Sequence, residues 1–159
     1  METKQAIFDQ LISQSLPMLR NTAYGILGNA ADADDAVQNA LVKAWKKFSI
    51  FQSRSKLSSW VCRITINTAY DMIRQKQREA EKLQHYSPEP RQEQDDSKLE
   101  ALEQAIAELP ELYRSALTLT CFGGVSGNEA AELLGCSTNT LYWRINHAKV
   151  LLRCKMKGI

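Results

Sequence analysis

The sequence predicts an all-α protein made of two small helical domains joined by a flexible linker. Almost every apolar pattern along its 159 residues has the period of a helix, and no stretch gives a convincing strand pattern. The chain holds only seven Gly and four Pro, too few for a sandwich or barrel rich in turns. Residues 83–97 combine two Pro and many charges with few apolar side chains, which is typical of a linker. We therefore predict one domain over residues 1–82 and another over residues 98–159.

Three helices account for the first domain. The first covers about 3–27, contains Pro17 as a potential kink and ends at Gly28-Asn29. The second runs from about 31 to 47, where an acidic start and a basic end suit the helix dipole. Residues 49–57 break the period as a loop, and the third helix extends from Ser58, a candidate N-cap, to about 82. Its core face carries Val61, Ile64, Thr65, Thr68 and Met72, and another stripe carries Arg63, Asn67, Asp71, Arg74 and Arg78.

Four shorter helices account for the second domain, over about 98–108, 110–121, 127–134 and 138–155. Pro110 suits the first turn of the helix over 110–121, and Ser126 is the predicted cap of the helix over 127–134. The last two helices fit a helix-turn-helix, because Ala131 is small where they would cross and Gly135 stands where the turn needs a positive φ. Their core face carries Leu133, Leu134, Leu141, Ile145, Ala148 and Leu152.

The opposite face of the last helix is rich in aromatic and amide side chains. A recognition helix offers such side chains to base edges in the major groove, and the N-terminal amides of both helices can hold phosphates. The alternative is an αα-hairpin whose aromatics pack on a neighbour; we favour DNA binding. The outward side chains are Asn139, Tyr142, Trp143, Asn146, Lys149 and Arg153.

Charge is unevenly distributed, although the net charge is only +2. Residues 48–82 hold seven basic and three acidic side chains, and residues 112–159 hold six basic and two acidic ones. Between them, residues 83–111 hold two basic and eight acidic side chains. This layout suits two nucleic-acid contacts joined by a segment that the phosphate backbone repels.

The sequence excludes several other classes of protein. It has no P-loop, GxGxxG, HExxH or GxSxG motif, and neither His85 nor His147 has a local catalytic partner, so we predict no enzyme and no cofactor. No segment approaches the roughly 20 apolar residues of a membrane span. The stretch METKQAIFDQ lacks the pattern of a secretory signal, so we expect a cytoplasmic protein. The four cysteines are widely spaced without a CxxC, which favours reduced, mostly buried thiols over a metal site.

Two segments together carry a family resemblance. Residues 24–47, YGILGNAADADDAVQNALVKAWKK, followed by SSWVCRITINTAYDMIRQKQR at 58–78, closely resemble region 2 of the extracytoplasmic-function (ECF) sigma factors of the sigma-70 family. The stretch that begins LPELYRSALTLTCFGGVSGNEAAELLGCS at 109 resembles their region 4. The resemblance implies a bacterial RNA polymerase subunit that directs promoter choice. Region 2, here 1–82, would bind core polymerase and open the −10 element, and region 4, here 98–159, would read the −35 element.

The resemblance also implies roles for residues of the first domain. An acidic stretch of the second helix would contact the polymerase clamp through Asp32, Asp34, Asp35 and Gln38, although the family usually has an acidic residue and a Phe where this chain has Asn39 and Leu41. Phe51 and Asn67 would hold an extruded −10 base by stacking and amide pairing, while Trp60 anchors the loop. The predicted −10 set is Phe51, Arg54, Lys56, Arg63, Asn67, Arg74 and Arg78.

In region 4, the family often has Lys or Arg and then Ser where this chain has Tyr142-Trp143. Readout here would therefore use apolar contact with thymine methyl groups, while Asn146 and His147 hydrogen-bond base edges. The predicted −35 set is Ser137, Thr138, Asn139, Tyr142, Trp143, Arg144, Asn146, His147 and Lys149, with Arg153 left for a phosphate.

The implied partners are core RNA polymerase, through its clamp and flap regions, promoter DNA and an anti-sigma factor, with a monomer when free. Two alternatives stay open. A free-standing helix-turn-helix regulator would leave the acidic second helix, the 49–57 loop and Asn67 unexplained. A sigma mimic that binds only an anti-sigma factor would fit Tyr142-Trp143 but would not need Phe51, Arg63, Asn67 or Arg74.

Overall fold

The computed structural model describes residues 3–51, 56–83 and 97–157. Within these ranges the chain forms seven α-helices and a 3₁₀ turn, with no strand, so the predicted all-α class is confirmed. None of the described helices is long and apolar enough to cross a membrane. The helices are α1 (Lys4–Leu27), α2 (Ala30–Lys47), α3 (Leu57–Lys82), α4 (Ser97–Ala107), α5 (Glu111–Cys121), α6 (Gly127–Leu134) and α7 (Thr138–Met156), with the 3₁₀ turn at Phe48–Ile50.

Local capping chemistry sets most of the helix ends. Gly28 ends α1 in the left-handed region (φ 70°), and the Asn29 side chain then accepts the Asp32 backbone N–H to begin α2. Pro17 lies inside α1 without ending it. The predicted cap of α3 is wrong: the helix begins at Leu57, so Ser58 lies in its first turn, and Lys56 precedes it without a side-chain cap. Leu57 packs on the core, which favours this earlier start.

The first half is a three-helix unit of α1, α2 and α3. Its centre is built largely from small side chains, because alanines allow the helix axes to approach closely. Leu19 of α1 and Val61 of α3 are fully buried there. The fully or almost fully buried alanines are Ala23, Ala33, Ala36, Ala40, Ala44 and Ala69.

The second half consists of α4–α7, and α6 and α7 form the predicted helix-turn-helix. Ser126 caps α6 by accepting the Glu129 N–H, and Gly135 ends it at φ 67°, so both turn predictions are confirmed. Ala131 is almost fully buried, as expected for the residue at the helix crossing. A smaller apolar cluster joins α4 and α5 to α7 through Ile106, Leu109, Leu117 and Ala148.

The two halves pack against each other in this structure. Contacts run from α1 to α4 and α5, and from α3 to α6, and one apolar core passes through both halves. Gly25 of α1 marks one tight contact between the halves: a Cβ placed there would lie 2.7 Å from Thr118 Cγ2 of α5. We call this arrangement the closed form. Most of the predicted linker, with His85, lies outside the described residues.

Candidate polymerase and nucleic-acid interface

The acidic end of α2 is the first part of the candidate site. Asp35 and Gln38 are exposed, as predicted. Asp34 is partly covered and accepts a 2.8 Å bond from Arg20 Nε of α1. Asp32 was also predicted to be exposed, but its side chain is only 21% exposed, because it pairs with Lys76 of α3. Exposed pairs of this kind contribute only about 0–1 kcal/mol, so a stronger basic partner can replace them.

Aromatic rings gather where α2 passes into α3. Phe51 is half-buried and stacks on Phe48, with 6.3 Å between ring centroids, and it contacts Trp60 in a tilted arrangement at 5.1 Å. Trp60 itself packs against the core, as expected of a residue that anchors the loop. Arg54 lies outside the described residues. Lys56 is exposed and forms a 3.7 Å ion pair with Glu129 of α6.

The polar stripe of α3 points toward the second half of the chain. Its predicted members Arg63, Asn67, Arg74 and Arg78 are exposed, in agreement with the helical spacing. Two of them are nevertheless engaged. Arg63 donates to the Leu133 and Glu132 carbonyl oxygens (3.2 and 3.4 Å), where α6 ends. Arg74 donates to both carboxylate oxygens of Glu111 in α5, at 2.8 and 3.0 Å.

Asn67 and Arg144 share one open cleft between the halves. Its volume is about 170 Å³, and its wall includes Glu111 and Leu112 of α5. The structure thereby brings a predicted −10 residue beside a predicted −35 residue. Phe51 is placed at the other end of this face, because its partner Trp60 lies two helical turns, about 10 Å, before Asn67 on the same side of α3.

Tyr70 holds this interface, and the sequence analysis did not single it out. Its hydroxyl donates to the Glu111 carbonyl oxygen at 3.1 Å and lies 2.7 Å from Ser115 Oγ, so the Ser115 hydroxyl is the donor in the second bond. Burial raises the pKa of Tyr70 above its ordinary value, which keeps the hydroxyl protonated. The one sequence signal was a tyrosine among the apolar positions of α3, where a buried hydroxyl requires a partner.

The outward face of α7 matches the prediction closely. Asn139, Asn146, His147 and Lys149 are exposed, and Thr138 and Arg144 are half-buried. Tyr142 and Trp143 are 52% and 54% exposed, so neither is sealed in the domain. Ser137 has a structural role in the closed form, since its Oγ accepts the Thr140 N–H at 3.1 Å and caps α7.

The cysteine prediction is wrong in part. Cys62 is buried and Cys136 half-buried, but Cys121 and Cys154 are exposed. Cys121 is the last residue of α5, and Cys154 lies on the outward side of α7, so helical position, not hydrophobicity, decides their exposure. No group of three or more metal-binding side chains occurs among the residues that the structure describes.

Comparison with protein families gives two matches. A model of Sigma-70 region 2 matches residues 11–79. A model of Sigma-70, region 4 matches residues 99–152. Neither describes a catalytic domain, and their order is the order of the two halves.

Several named relatives are similar over most of the chain. The ECF RNA polymerase sigma factor EcfG of Rhodopseudomonas palustris is 32% identical over 142 residues, which cover 87% of this chain and 78% of EcfG. SigV of Bacillus subtilis is 26% identical, covering 98% of this chain and 94% of SigV. SigE of Mycolicibacterium smegmatis is 29% identical over 92% of this chain, which spans only 60% of SigE.

Solved structures with the same fold include two proteins that were each determined in a complex with another protein. RpoE of Bartonella quintana, in complex with the anti-sigma factor NepR, is 29% identical with a TM-score of 0.70, over 95% of this chain and 97% of RpoE. CnrH, in complex with the cytosolic domain of CnrY, is 25% identical with a TM-score of 0.72, over 98% of this chain and 90% of CnrH. The two matched regions and the similarity to EcfG confirm that this chain belongs to the ECF RNA polymerase sigma factors of the sigma-70 family.

Proposed function

We propose that the chain binds core RNA polymerase and directs transcription initiation at promoters with specific −10 and −35 elements. Residues 1–82 act as region 2, residues 98–159 act as region 4, and residues 83–97 connect them. The observation that carries this proposal is the outward face of α7, where amide, aromatic and basic side chains project from a helix-turn-helix on a chain whose other half matches region 2.

Core polymerase binds through the acidic end of α2. Asp35 and Gln38 are exposed and stand one helical turn apart, so they can meet a basic partner helix together. Asp34 and Asp32 join this contact when polymerase groups replace Arg20 and Lys76, the weak partners that now hold them. The partner is the clamp, and region 4 makes a second contact with the flap.

The −10 element is opened and held by α3 and the segment before it. Asn67 supplies an amide that can pair with the edge of an extruded base, and Phe51 supplies an aromatic face. Base stacking on an aromatic ring is worth about 1–3 kcal/mol, so these groups can offset the unpairing of one base. Phosphate contacts come from Arg54, Lys56, Arg63, Arg74 and Arg78.

The −35 element is read by the outward face of α7. Asn139, Asn146 and His147 provide hydrogen bonds, while Tyr142 and Trp143 provide apolar surface for thymine methyl groups. Lys149 binds a phosphate beside them, and Arg144, which lines the cleft between the halves, binds one after the halves separate. When DNA is bound, Ser137 and Thr138 add the N-terminal amides and hydroxyls of α7.

The closed form cannot engage promoter DNA through both halves at once. Arg63 and Arg74 are held by α6 and α5, and Asn67 faces a cleft walled by α5. DNA binding by these groups therefore requires the halves to separate. Because the open form is the competent one, its population in the free chain scales the apparent affinity for polymerase and promoter.

An anti-sigma factor is the proposed regulatory partner. RpoE and CnrH, which share this fold, were each solved in a complex, with the anti-sigma factor NepR and with CnrY respectively. A protein that prefers the closed form would lower the open population and silence the chain without touching α7. The exposed Tyr142-Trp143 pair keeps the sigma-mimic alternative testable, because such a mimic would bind the anti-sigma factor without initiating transcription.

Run-off transcription with core polymerase on a library of randomised promoters tests this function. We expect transcripts from a subset of templates that share two elements, and co-elution of the chain with core polymerase. If the chain neither binds core nor initiates at any template, the proposed function is wrong. Binding to an anti-sigma factor, without core binding and without initiation at any of the templates, would favour the mimic.

The Asn67→Ala variant tests the −10 assignment within the same assay. Promoter opening, followed by permanganate reactivity of unpaired thymines, should fall about 10-fold or more, while core affinity stays at the wild-type level. Gln77→Ala, another exposed amide on α3, is the matched control and should change neither. Equal losses of opening and core affinity for Asn67→Ala would reject its role in holding a base.

A further inference from the structure

Three aromatic rings form a cluster on the outward side of the second half. Trp143 and His147 stand one turn apart on α7, with 4.0 Å between ring centroids. Tyr113, in the first turn of α5, stacks on His147 at 5.9 Å and 16° and lies 6.1 Å from Trp143. We call these three residues the aromatic triad. Tyr113 lies outside the helix-turn-helix, and no role has yet been assigned to it.

Tyr113 is the fixed member of the aromatic triad. Its side chain is half-buried against the small apolar cluster around Leu109, Leu117 and Ala148. Its backbone N–H donates to the Pro110 carbonyl oxygen at 3.0 Å, which holds the first turn of α5. A ring supported in this way changes rotamer less readily than one on an open helix surface.

Trp143 is the member of the aromatic triad that points most directly away from the core. The buried residues of α7 are Leu141, Ile145 and Ala148, and at 100° per residue Trp143 points nearly opposite their mean direction. Its indole is therefore aimed away from the core and toward the groove-facing side. A free indole at such a position would populate several rotamers, and each would present a different edge to DNA. The contacts with His147 and Tyr113 select among them.

Tyr142 is oriented by a different neighbour. A Cβ at Gly127 would lie only 2.5 Å from the Tyr142 hydroxyl, so this side chain reaches over the start of α6. The two adjacent aromatics thus separate: Tyr142 belongs to the α6 side and Trp143 to the α5 side. Trp143 is therefore the exposed aromatic on the α5 side of the outward face.

We propose that Tyr113 is a specificity-determining residue for the −35 element, which acts by positioning Trp143. Tyr113 supports His147, His147 supports the indole, and the indole then contacts the C5-methyl group of one or two thymines in the major groove. This inference rests on the proposed −35 function of α7. Tyr113 itself does not touch DNA.

Replacing single thymines by uracil in the −35 duplex removes only the methyl group and so tests the contact directly. Holoenzyme made with the wild-type chain should lose about 4-fold in affinity per contacted methyl. Trp143→Ala should bind thymine and uracil templates equally at those positions. Tyr113→Ala should reduce the thymine preference at least by half, and Tyr113→Phe, which keeps the ring, should retain it.

Further variants separate positioning from folding. Tyr113→Leu keeps apolar volume without a ring, so it should preserve the melting temperature better than Tyr113→Ala and still lose the thymine preference. Uracil substitutions in the −10 element should affect all variants alike. Full thymine preference in Tyr113→Ala and Tyr113→Leu would overturn the role of Tyr113, as would its absence in the wild-type holoenzyme. In both cases promoter-specific initiation survives, whereas its absence on every template would refute the proposed function itself.

Discussion

Replacing Gly25 by Ala should open the closed form without altering any residue of the candidate site. The added Cβ would lie 2.7 Å from Thr118 Cγ2, 2.8 Å from Thr118 Cβ and 2.9 Å from Phe122 Cδ2. Thr118 is β-branched and fully buried, so it cannot rotate away, whereas Phe122 is partly exposed and can move. The halves must therefore shift apart.

The magnitude follows from two opposing effects. Overpacking a tight contact costs about 1–3 kcal/mol, and this cost falls on the closed form alone. Alanine in place of glycine stabilises a helix by about 1 kcal/mol, but it does so in both forms and cancels from the equilibrium. The ratio of open to closed chain should rise about 5-fold to 140-fold. Apparent affinity for core polymerase should improve by the same factor until the open form predominates.

Small-angle scattering and a core-binding titration together measure this effect. A compact chain of this length has a radius of gyration of about 15 Å, and two separated bodies exceed it. Gly25→Ala should increase this radius and tighten core binding. Adding Thr118→Gly removes the side chain of α5 that the new Cβ would meet, so the double variant should be compact again. A Gly25→Ala chain that stays compact and binds core no better would refute the inference that closure limits activity.

Three further predictions follow from the structure. Asp35→Lys reverses an exposed charge of α2 and should weaken core binding about 10-fold or more, whereas Asp9→Lys on the exposed side of α1 should not; unchanged affinity would remove the clamp assignment. In native thiol labelling at pH 8, the exposed Cys121 and Cys154 should react quickly. Cys62 should react only on unfolding, because burial raises its pKa to about 12. Similar labelling rates for all three thiols would contradict the buried position of Cys62. Burial raises the pKa of Tyr70 above its ordinary 10.0, so the open form releases the proton at lower pH than the closed form does. The contribution of Tyr70 to the stability of the closed form is therefore complete below about pH 10 and is lost as pH rises through its closed-form pKa. In scattering measurements, Tyr70→Phe should remove this opening at alkaline pH. If the radius of gyration of Tyr70→Phe rises with pH as in the wild type, Tyr70 is not the cause of the opening.

Much of the fold could be predicted because its determinants are local. Asn29, Ser126 and Gly135 act within three or four residues of themselves, so they mark helix ends directly in the sequence. The buried and outward faces of α3 and α7 follow from helical period alone. The outward position of Trp143 was predicted in the same way.

The closed form could not be predicted, because its contacts join residues far apart in sequence. Tyr70 meets Ser115, and Arg63 caps α6 more than sixty residues away, at Leu133. From the sequence of α3 alone, Arg63 is predicted to be solvated or to bind a phosphate, and no neighbouring residue indicates that it also binds the end of α6. Gly25 likewise resembles a weak position in α1 until Thr118 is placed against it. In the closed form, residues such as Arg63 thus bind the second half of the chain through groups that are proposed to bind DNA in the open form.

A disulfide between the halves tests the central claim most directly. Cysteines in place of Gly25 and Thr118, with exposed Cys121 and Cys154 changed to Ser, put two Cβ atoms 2.8 Å apart, and a shift of about 1 Å outward meets disulfide geometry. Run-off transcription with core polymerase is then measured before and after reduction. We predict no transcript from the oxidised chain and full initiation from the reduced one. Equal transcription from both states would contradict an opening step, and none from the reduced or wild-type chain would contradict promoter-directed initiation.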